Sequence, residues 1–290
     1  MAEKMTVKAA AKINLALDVT GKLGNGYHTL ESVFQSVGLY DEVTVELADD
    51  ISVSCDVPDE FAQSDEIPCD ERNIAYKAAK RFFENAGISG GCRIHIKKGI
   101  PSQAGMGGGS ADAAAVLYCL SKLTGKDIYA PEKIGADVPF MLAGGTAYVE
   151  GIGEKITPIA DYSGKILVIG KGREGVSTAE AYGNIDSLPS PVHPETSKLV
   201  DAINSAPAEA YKYFGNLFEQ AIQLEEVDAI ESTMLNKGAV RAVMTGSGSA
   251  VFGLFESREE AVICAEKLKQ QGYFAQVCET VPHGIVVIEQ

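Results

Sequence analysis

No stretch of this sequence holds the twenty or so consecutive apolar residues that a membrane-spanning helix needs. The opening residues, MAEKMTVKAAAKINLALDV, carry Glu3 and lack both a long apolar block and a small-residue cleavage pattern. A cytoplasmic chain is therefore expected. Positive charge is scarce, since 25 Lys and Arg face 40 Asp and Glu for a formal net charge of −15. A surface of that sign repels nucleic acid and anionic membranes, so neither is an expected partner. Six cysteines form no CxxC pair and are too sparse to staple 290 residues, which fits reduced thiols. The four histidines include no HExxH-type grouping, so the sequence offers no zinc-site pattern.

What is present describes a globular protein. Hydrophobic residues make up 46% and charged residues 22%, and the length suits two domains. Neither repeats nor low-complexity tracts occur. Ile13, Leu15, Leu17 and Val19 alternate with Lys12, Asn14, Ala16 and Asp18, the pattern of a half-buried strand with Lys12 and Asn14 on its non-core face. Val43, Val45 and Leu47 alternate likewise, and GNGYH (24–28) supplies a turn between the two. Residues 73–86 predict an amphipathic helix capped by Asn73 and stopped by Gly87. CRIHI (92–96) predicts a strand, 144–159 a hairpin turning near Gly151–Gly153, 187–195 a proline-rich loop, about 195–237 and 257–270 helices, and AVMTGSGSAVFGLF (242–255), YFAQV (273–277) and GIVVIE (284–289) strands. Strands and helices mix in both halves without strict alternation, so the expected class is α+β, with a boundary at 155–165.

The most informative segment is IPSQAGMGGGSADAAAVL (100–117). Gly105, Gly107, Gly108 and Gly109 crowd the start of a helix predicted from Ser110 to Gly125. Glycine is costly to order, so flexibility alone is a poor explanation. Unpaired amides and the dipole at a helix N-terminus form an anion site, and glycines let phosphate oxygens reach the backbone. Asp112 falls in the first turn on this reading, and Ser110 could cap the helix or ligate a metal. No Gly-Lys-Ser/Thr follows, which excludes a Walker A loop, and no ribose-binding acid is patterned as a dinucleotide fold requires.

PSQAGMGGGSADAA resembles the phosphate loop of the GHMP kinase superfamily. AKINLALDVTGKLGNGYHTLESVFQSVGLYD, GADVPF (135–140), GGTAYVEGIGE (144–154), GVSTAEAY (175–182) and MTGSGSAVFGLF (244–255) resemble, in order, the branch that phosphorylates a cytidine diphosphate-linked methylerythritol for non-mevalonate isoprenoid synthesis. The resemblance implies a two-domain GHMP kinase fold, with a ribosomal protein S5 domain 2-like N-terminal domain (1–158) and a ferredoxin-like C-terminal domain (159–290). It implies ATP and Mg²⁺ as cofactors, that small molecule as substrate, and a monomer or weak homodimer.

Residue by residue, the resemblance makes Lys12 and Asp137 the catalytic pair. Asn73, Lys98, Pro101, Ala104, Gly105, Gly107, Gly108, Gly109 and Ser110 would bind the nucleotide, with Ser110 near the metal. Asn14, Tyr27, His28, Asp137, Thr178, Tyr182, Gly246, Ser247 and Gly248 would bind the substrate. Without the resemblance, Lys12 is a solvated charge, Asp137 an N-cap for a helix over PFML, and TGSGS a tight strand connection. Residues 124–139 are shorter than the family's usual connection, and Pro131 argues against a long helix there. Two other readings stay open: a GHMP kinase for mevalonate, homoserine or a sugar, and a nucleotide-binding relative without catalysis. His95, His193 and His283 are assigned no chemistry.

Overall fold

The computed structural model describes residues 3–58 and 67–289. The first half runs β1 (Lys4–Lys22), β2 (His28–Ala48), β3 (Ser52–Asp56), α1 (Ile74–Ala86), β4 (Gly91–Lys97), α2 (Gly108–Thr124), α3 (Val138–Ala143), β5 (Thr146–Gly151) and β6 (Lys155–Pro158). The second runs β7 (Ile166–Lys171), α4 (Thr178–Ile185), α5 (Thr196–Ser205), β8 (Gly215–Asn216), α6 (Glu225–Asn236), β9 (Arg241–Met244), β10 (Val251–Phe255), α7 (Arg258–Gln270), β11 (Phe274–Glu279) and β12 (Ile285–Glu289).

β1 and β2 form a hairpin far longer than the two expected alternating segments. Almost all of β1 is buried on both faces, Lys12 and Asn14 included. The predicted solvent face of β1 is therefore corrected: it lies under the C-terminal half of the chain. Small and apolar residues on both sides of KAAAKINLALDV permit this, and they also obscure the period-2 signal. The pairing register slips between Asn14 and Ala16, and such bulges increase local twist. The first sheet has the order β12-β1-β2-β4-β3, with β5 also on β2, β6 on β5, and β8 parallel to β1.

α1 and α2 pack on this sheet and on each other. Asn73 caps α1 by accepting from the Ala75 amide at 2.8 Å, and Gly87 ends it at φ +62°. α2 begins at Gly108, two residues earlier than expected, so Asp112 falls in its second turn. Residues 111–117 are all buried, and their alanines let α1 and the sheet approach closely.

The second sheet has the order β11-β7-β10-β9, wholly antiparallel. α6 joins β7's side of the chain to β9 and α7 joins β10 to β11, which is the ferredoxin-like arrangement expected. The helical expectation over 195–237 is corrected to α5 and α6, separated by 3-10 stretches at 207–213 and 217–220 and by β8. Phe214 and Leu217, both buried, fix that irregular segment in the core. The sheets do not follow chain order. β8 and β12, from the second half, both pair with β1, so the C-terminus returns to the strand that carries Lys12.

Candidate active site

β1 delivers Lys12 and Asn14 to a point where three loops meet. The Lys12 ammonium donates to Asn14 Oδ1 at 2.7 Å, faces the Phe34 ring centroid at 4.7 Å, and lies 4.0 Å from Asp137 Oδ2. Asn14 is a hub. Its Oδ1 also accepts from the Gly246 amide at 3.0 Å and Thr245 Oγ1 at 3.2 Å, while its Nδ2 donates to Ser32 Oγ at 2.9 Å. One side chain thus ties the lysine to the TGSGS loop. Asn216 holds that loop from behind, donating to the Met244 and Gly246 carbonyls, and Glu219 accepts from the Met244 amide at 2.6 Å.

The glycine loop is shaped by its neighbours as well as by the anion-site geometry. Gly107, at φ +72°, is the residue before α2, and a Cβ there would stand 2.2 Å from Met141 Cε and 3.4 Å from Lys12 Cγ. The helix N-terminus therefore opens directly over the lysine. Gly107 caps α2 with no side-chain bond, so the expected Ser110 cap is corrected; Ser110 is the third helical residue and lines the cavity.

Under the loop, Lys98 forms a buried ion cluster with Asp41 and Asp112, at 2.8 Å from Asp112 Oδ2. Burial alone would lower the Lys98 ammonium, but the two carboxylates outweigh it and hold it above its ordinary range. Burial first, and Asp41 second, push the Asp112 carboxyl well up. Asp41 Oδ1 also accepts from the Gly99 and Ile100 amides, which fixes the chain as it enters the loop. Asp112 faces this cluster rather than the helix dipole, which its displacement from the first turn explains.

Asp137 stands in the position before α3, and its carbonyl accepts from the Met141 amide at 3.0 Å. Its carboxylate makes no cap bond, which leaves it to face Lys12. The short connection before it is a single 3-10 turn, Pro131–Lys133, as Pro131 suggested. The shortening does not carry Asp137 away from Lys12, as the 4.0 Å separation shows.

A cavity of 870 Å³ opens between these elements, with Gly105, Gly107, Ser110 and Asp137 at one end and Tyr27, His28, Thr178, Tyr182 and Ser247 towards the other. His28 stacks on Tyr182 with centroids 4.6 Å apart, and Tyr182 meets Phe218 edge-on at 5.0 Å. Burial, then the charge of Asp137, pushes the Tyr182 phenol up to about 12. Thr178 Oγ1 and Ser247 Oγ lie 3.1 Å apart, joining α4 to the TGSGS loop. Tyr27 is 61% exposed at the rim. A second cavity of 210 Å³ is bounded by Lys98, Pro101, Ala104 and Gly105 to Gly109. Lys12, Asn14, Asn73, Gly246 and Gly248 are not among the residues that line either cavity. Asn73 is 6% exposed, and its amide is engaged by Ala75 and the Pro68 carbonyl. Residue patterning missed Asp41, Ser32, Asn216, Glu219, Lys22 and Asp186, whose partners are distant in sequence and carry no local signal.

Burial holds the Lys12 ammonium below its ordinary value, with Asp137 pulling it partly back up. The positively charged form is the one that can offset negative charge brought beside it. Turnover is therefore expected to fall at an alkaline limb below the ordinary lysine value of about 10.4. Stability moves the other way, because a lysine that releases its proton more readily when folded favours the folded state as pH rises. Asn14→Asp places a second carboxylate beside the ammonium and should raise the limb in a kcat–pH profile. A limb unmoved in that variant would separate it from Lys12.

Residues 73–145 match the family described as GHMP kinases N terminal domain, and residues 199–273 match GHMP kinases C terminal. A 4-diphosphocytidyl-2-C-methyl-D-erythritol kinase of Clostridium kluyveri is 40% identical over 280 residues, 91% of this chain and 96% of that protein. A kinase of the same name from Clostridium botulinum (strain Langeland) is 40% identical over 277 residues, 92% of this chain and 96% of its own. The chain belongs to the 4-diphosphocytidyl-2-C-methyl-D-erythritol kinase family of GHMP kinases. A crystal structure of a 4-(cytidine 5'-diphospho)-2C-methyl-D-erythritol kinase superposes with a TM-score of 0.78 at 31% identity, covering 95% of this chain and 99% of that one. A homoserine kinase from Cytophaga hutchinsonii shares the fold at 19% identity with a TM-score of 0.69. Membership of the 4-diphosphocytidyl-2-C-methyl-D-erythritol kinase family brings ATP-dependent phosphotransfer with it.

Proposed function

We infer that this chain transfers the γ-phosphoryl group of ATP to the 2-hydroxyl of 4-diphosphocytidyl-2-C-methyl-D-erythritol, within non-mevalonate isoprenoid synthesis. The observation that carries the reading is the Lys12–Asp137 pair, 4.0 Å apart beside the open N-terminus of α2. Phosphoryl transfer asks little covalent work of a protein, so positioning and charge stabilisation dominate. Asp137 accepts the proton of the substrate hydroxyl. Lys12, 4.0 Å from that carboxylate, offsets charge on the transferring group. The amides of Gly107 to Ser110 take phosphate oxygens at the positive end of the helix dipole. Asn14 fixes Lys12 against the TGSGS loop, and Lys98 and Asn73 support the nucleotide side from behind. Tyr27, His28 and Tyr182 provide stacking surfaces and polar edges suited to a pyrimidine.

Among the described residues, no three His, Cys, Asp or Glu side chains gather as a metal cage. Mg²⁺ held chiefly by phosphates and water needs only one or two protein oxygens. Ser110, on the large cavity, fits that requirement and would hold it. Bound there, the ion would neutralise phosphate charge. Among the described residues, no helix is long and apolar enough to cross a membrane.

ADP release measured with ATP and a panel of alcohols tests the assignment. Turnover should require the cytidylated substrate. Preference for mevalonate, homoserine or a sugar would overturn it.

A further inference from the structure

Asp186, at the end of α4, reaches from the second half of the chain to both ends of the β1–β2 turn. Its Oδ1 is 2.8 Å from His28 Nε2 and its Oδ2 is 2.5 Å from Lys22 Nζ. Lys22 and His28 are themselves directly paired across the hairpin, so one carboxylate closes the turn from outside. Exposed ion pairs usually contribute little, and Lys22 is half exposed. The His28 side chain is different: it is only 8% exposed, with Tyr182 stacked on its face. A ring clamped by a stack and one directional bond has a fixed orientation.

The bond also selects a tautomer. A carboxylate only accepts, so the hydrogen lies on Nε2, and the neutral ring is left with a lone pair on Nδ1. Pyrimidines differ at the edge such an acceptor could read. Cytosine carries an exocyclic amino donor where uracil carries a carbonyl oxygen, and a lone pair facing that oxygen is repelled.

We propose that Asp186 is a positioning residue that locks His28 as the Nε2–H tautomer, so that Nδ1 accepts from the cytosine amino group and discriminates against uracil. The proposal rests on the reading of this cavity as the cytidine site. Lys22 holds the carboxylate ionised and in place. The polar partners of Asp186 are Lys22 and His28, not the glycine loop, so its effect is expected on recognition of the base.

The test is steady-state kinetics with cytidine diphosphate- and uridine diphosphate-linked methylerythritol. Asp186→Leu should raise KM for the cytidine compound about tenfold, equivalent to about 1.4 kcal/mol. The cytidine-over-uridine ratio in kcat/KM should fall at least tenfold, with kcat and the KM for ATP within twofold of wild type. Asp186→Asn keeps an acceptor but can also donate, admitting both tautomers. It should retain most of the affinity and lose part of the ratio. Unchanged base preference in both variants would overturn the proposal, as would a parallel fall in kcat and ATP affinity, which marks a merely structural role. A wild-type enzyme that turns over neither compound would overturn the functional reading itself, a result distinct from either.

Discussion

Asp137→Asn is expected to lower kcat by about 10²–10⁴ while ATP binding is retained, the range general-base assistance commonly supplies. The substitution keeps the side chain's shape and removes its basicity. Backbone order should survive, because the Asp137 carboxylate makes no cap bond and only its carbonyl joins α3. Lys12→Met keeps an unbranched side chain of similar length and deletes the charge, with an expected loss of about 10²–10³, comparable to removing one charge-stabilising donor. The two groups lie 4.0 Å apart, so the double variant should lose less than the product of the single losses. Turnover by ADP release, alongside equilibrium titration with ATP, checks all three. Near-normal turnover in both single variants would remove the pair from the chemistry.

Gly105→Ala is expected to destabilise the protein by roughly 2–4 kcal/mol and to reduce kcat/KM at least tenfold, from left-handed strain and overpacking together. Gly105 has φ +69°, and a Cβ there would lie 2.2 Å from the Thr245 carbonyl oxygen. The loops meet backbone to backbone, so no flexible side chain can yield. Thr245 is also bonded to Asn14, which holds Lys12, and displacement at position 105 would therefore reach Lys12. Gly109→Ala is the control. Its Cβ would meet only Ile74 Cγ2 at 3.3 Å, and it stands in a helix that alanine favours. Thermal unfolding should show Gly105→Ala strongly destabilised and Gly109→Ala near wild type; equal stability would contradict the interlocked-loop account.

Much of this site was legible because its signals are local. Asn73 and Gly87 bracket α1 as their capping chemistry requires, and four glycines at the start of an alanine-rich helix mark the α2 N-terminus. Those glycines have a second cause that no local pattern carries: Gly105 meets Thr245, and Gly107 meets Met141 and Lys12. Lys12 itself misled, because alternation along β1 predicts a wet face wherever the second sheet face is covered by distant chain. Asp112 was visible as an acid near a helix start, but its partners Lys98 and Asp41 meet it only after the strands are laid side by side. Asp186 had no signal at all, since its meaning depends on Lys22 and His28 across the fold. The ferredoxin-like second sheet was legible through family resemblance, whereas the return of β12 to β1 was not.

The position of the Lys12–Asp137 pair beside the α2 N-terminus predicts where the phosphate goes. Wild-type enzyme with ATP and 4-diphosphocytidyl-2-C-methyl-D-erythritol should give one product, whose new ³¹P resonance is a monoester coupled to the quaternary carbon bearing the 2-hydroxyl. A phosphate on another hydroxyl, or ATP consumption without phosphorylation of this substrate, would contradict the placement of Asp137 and Lys12 at the reacting alcohol.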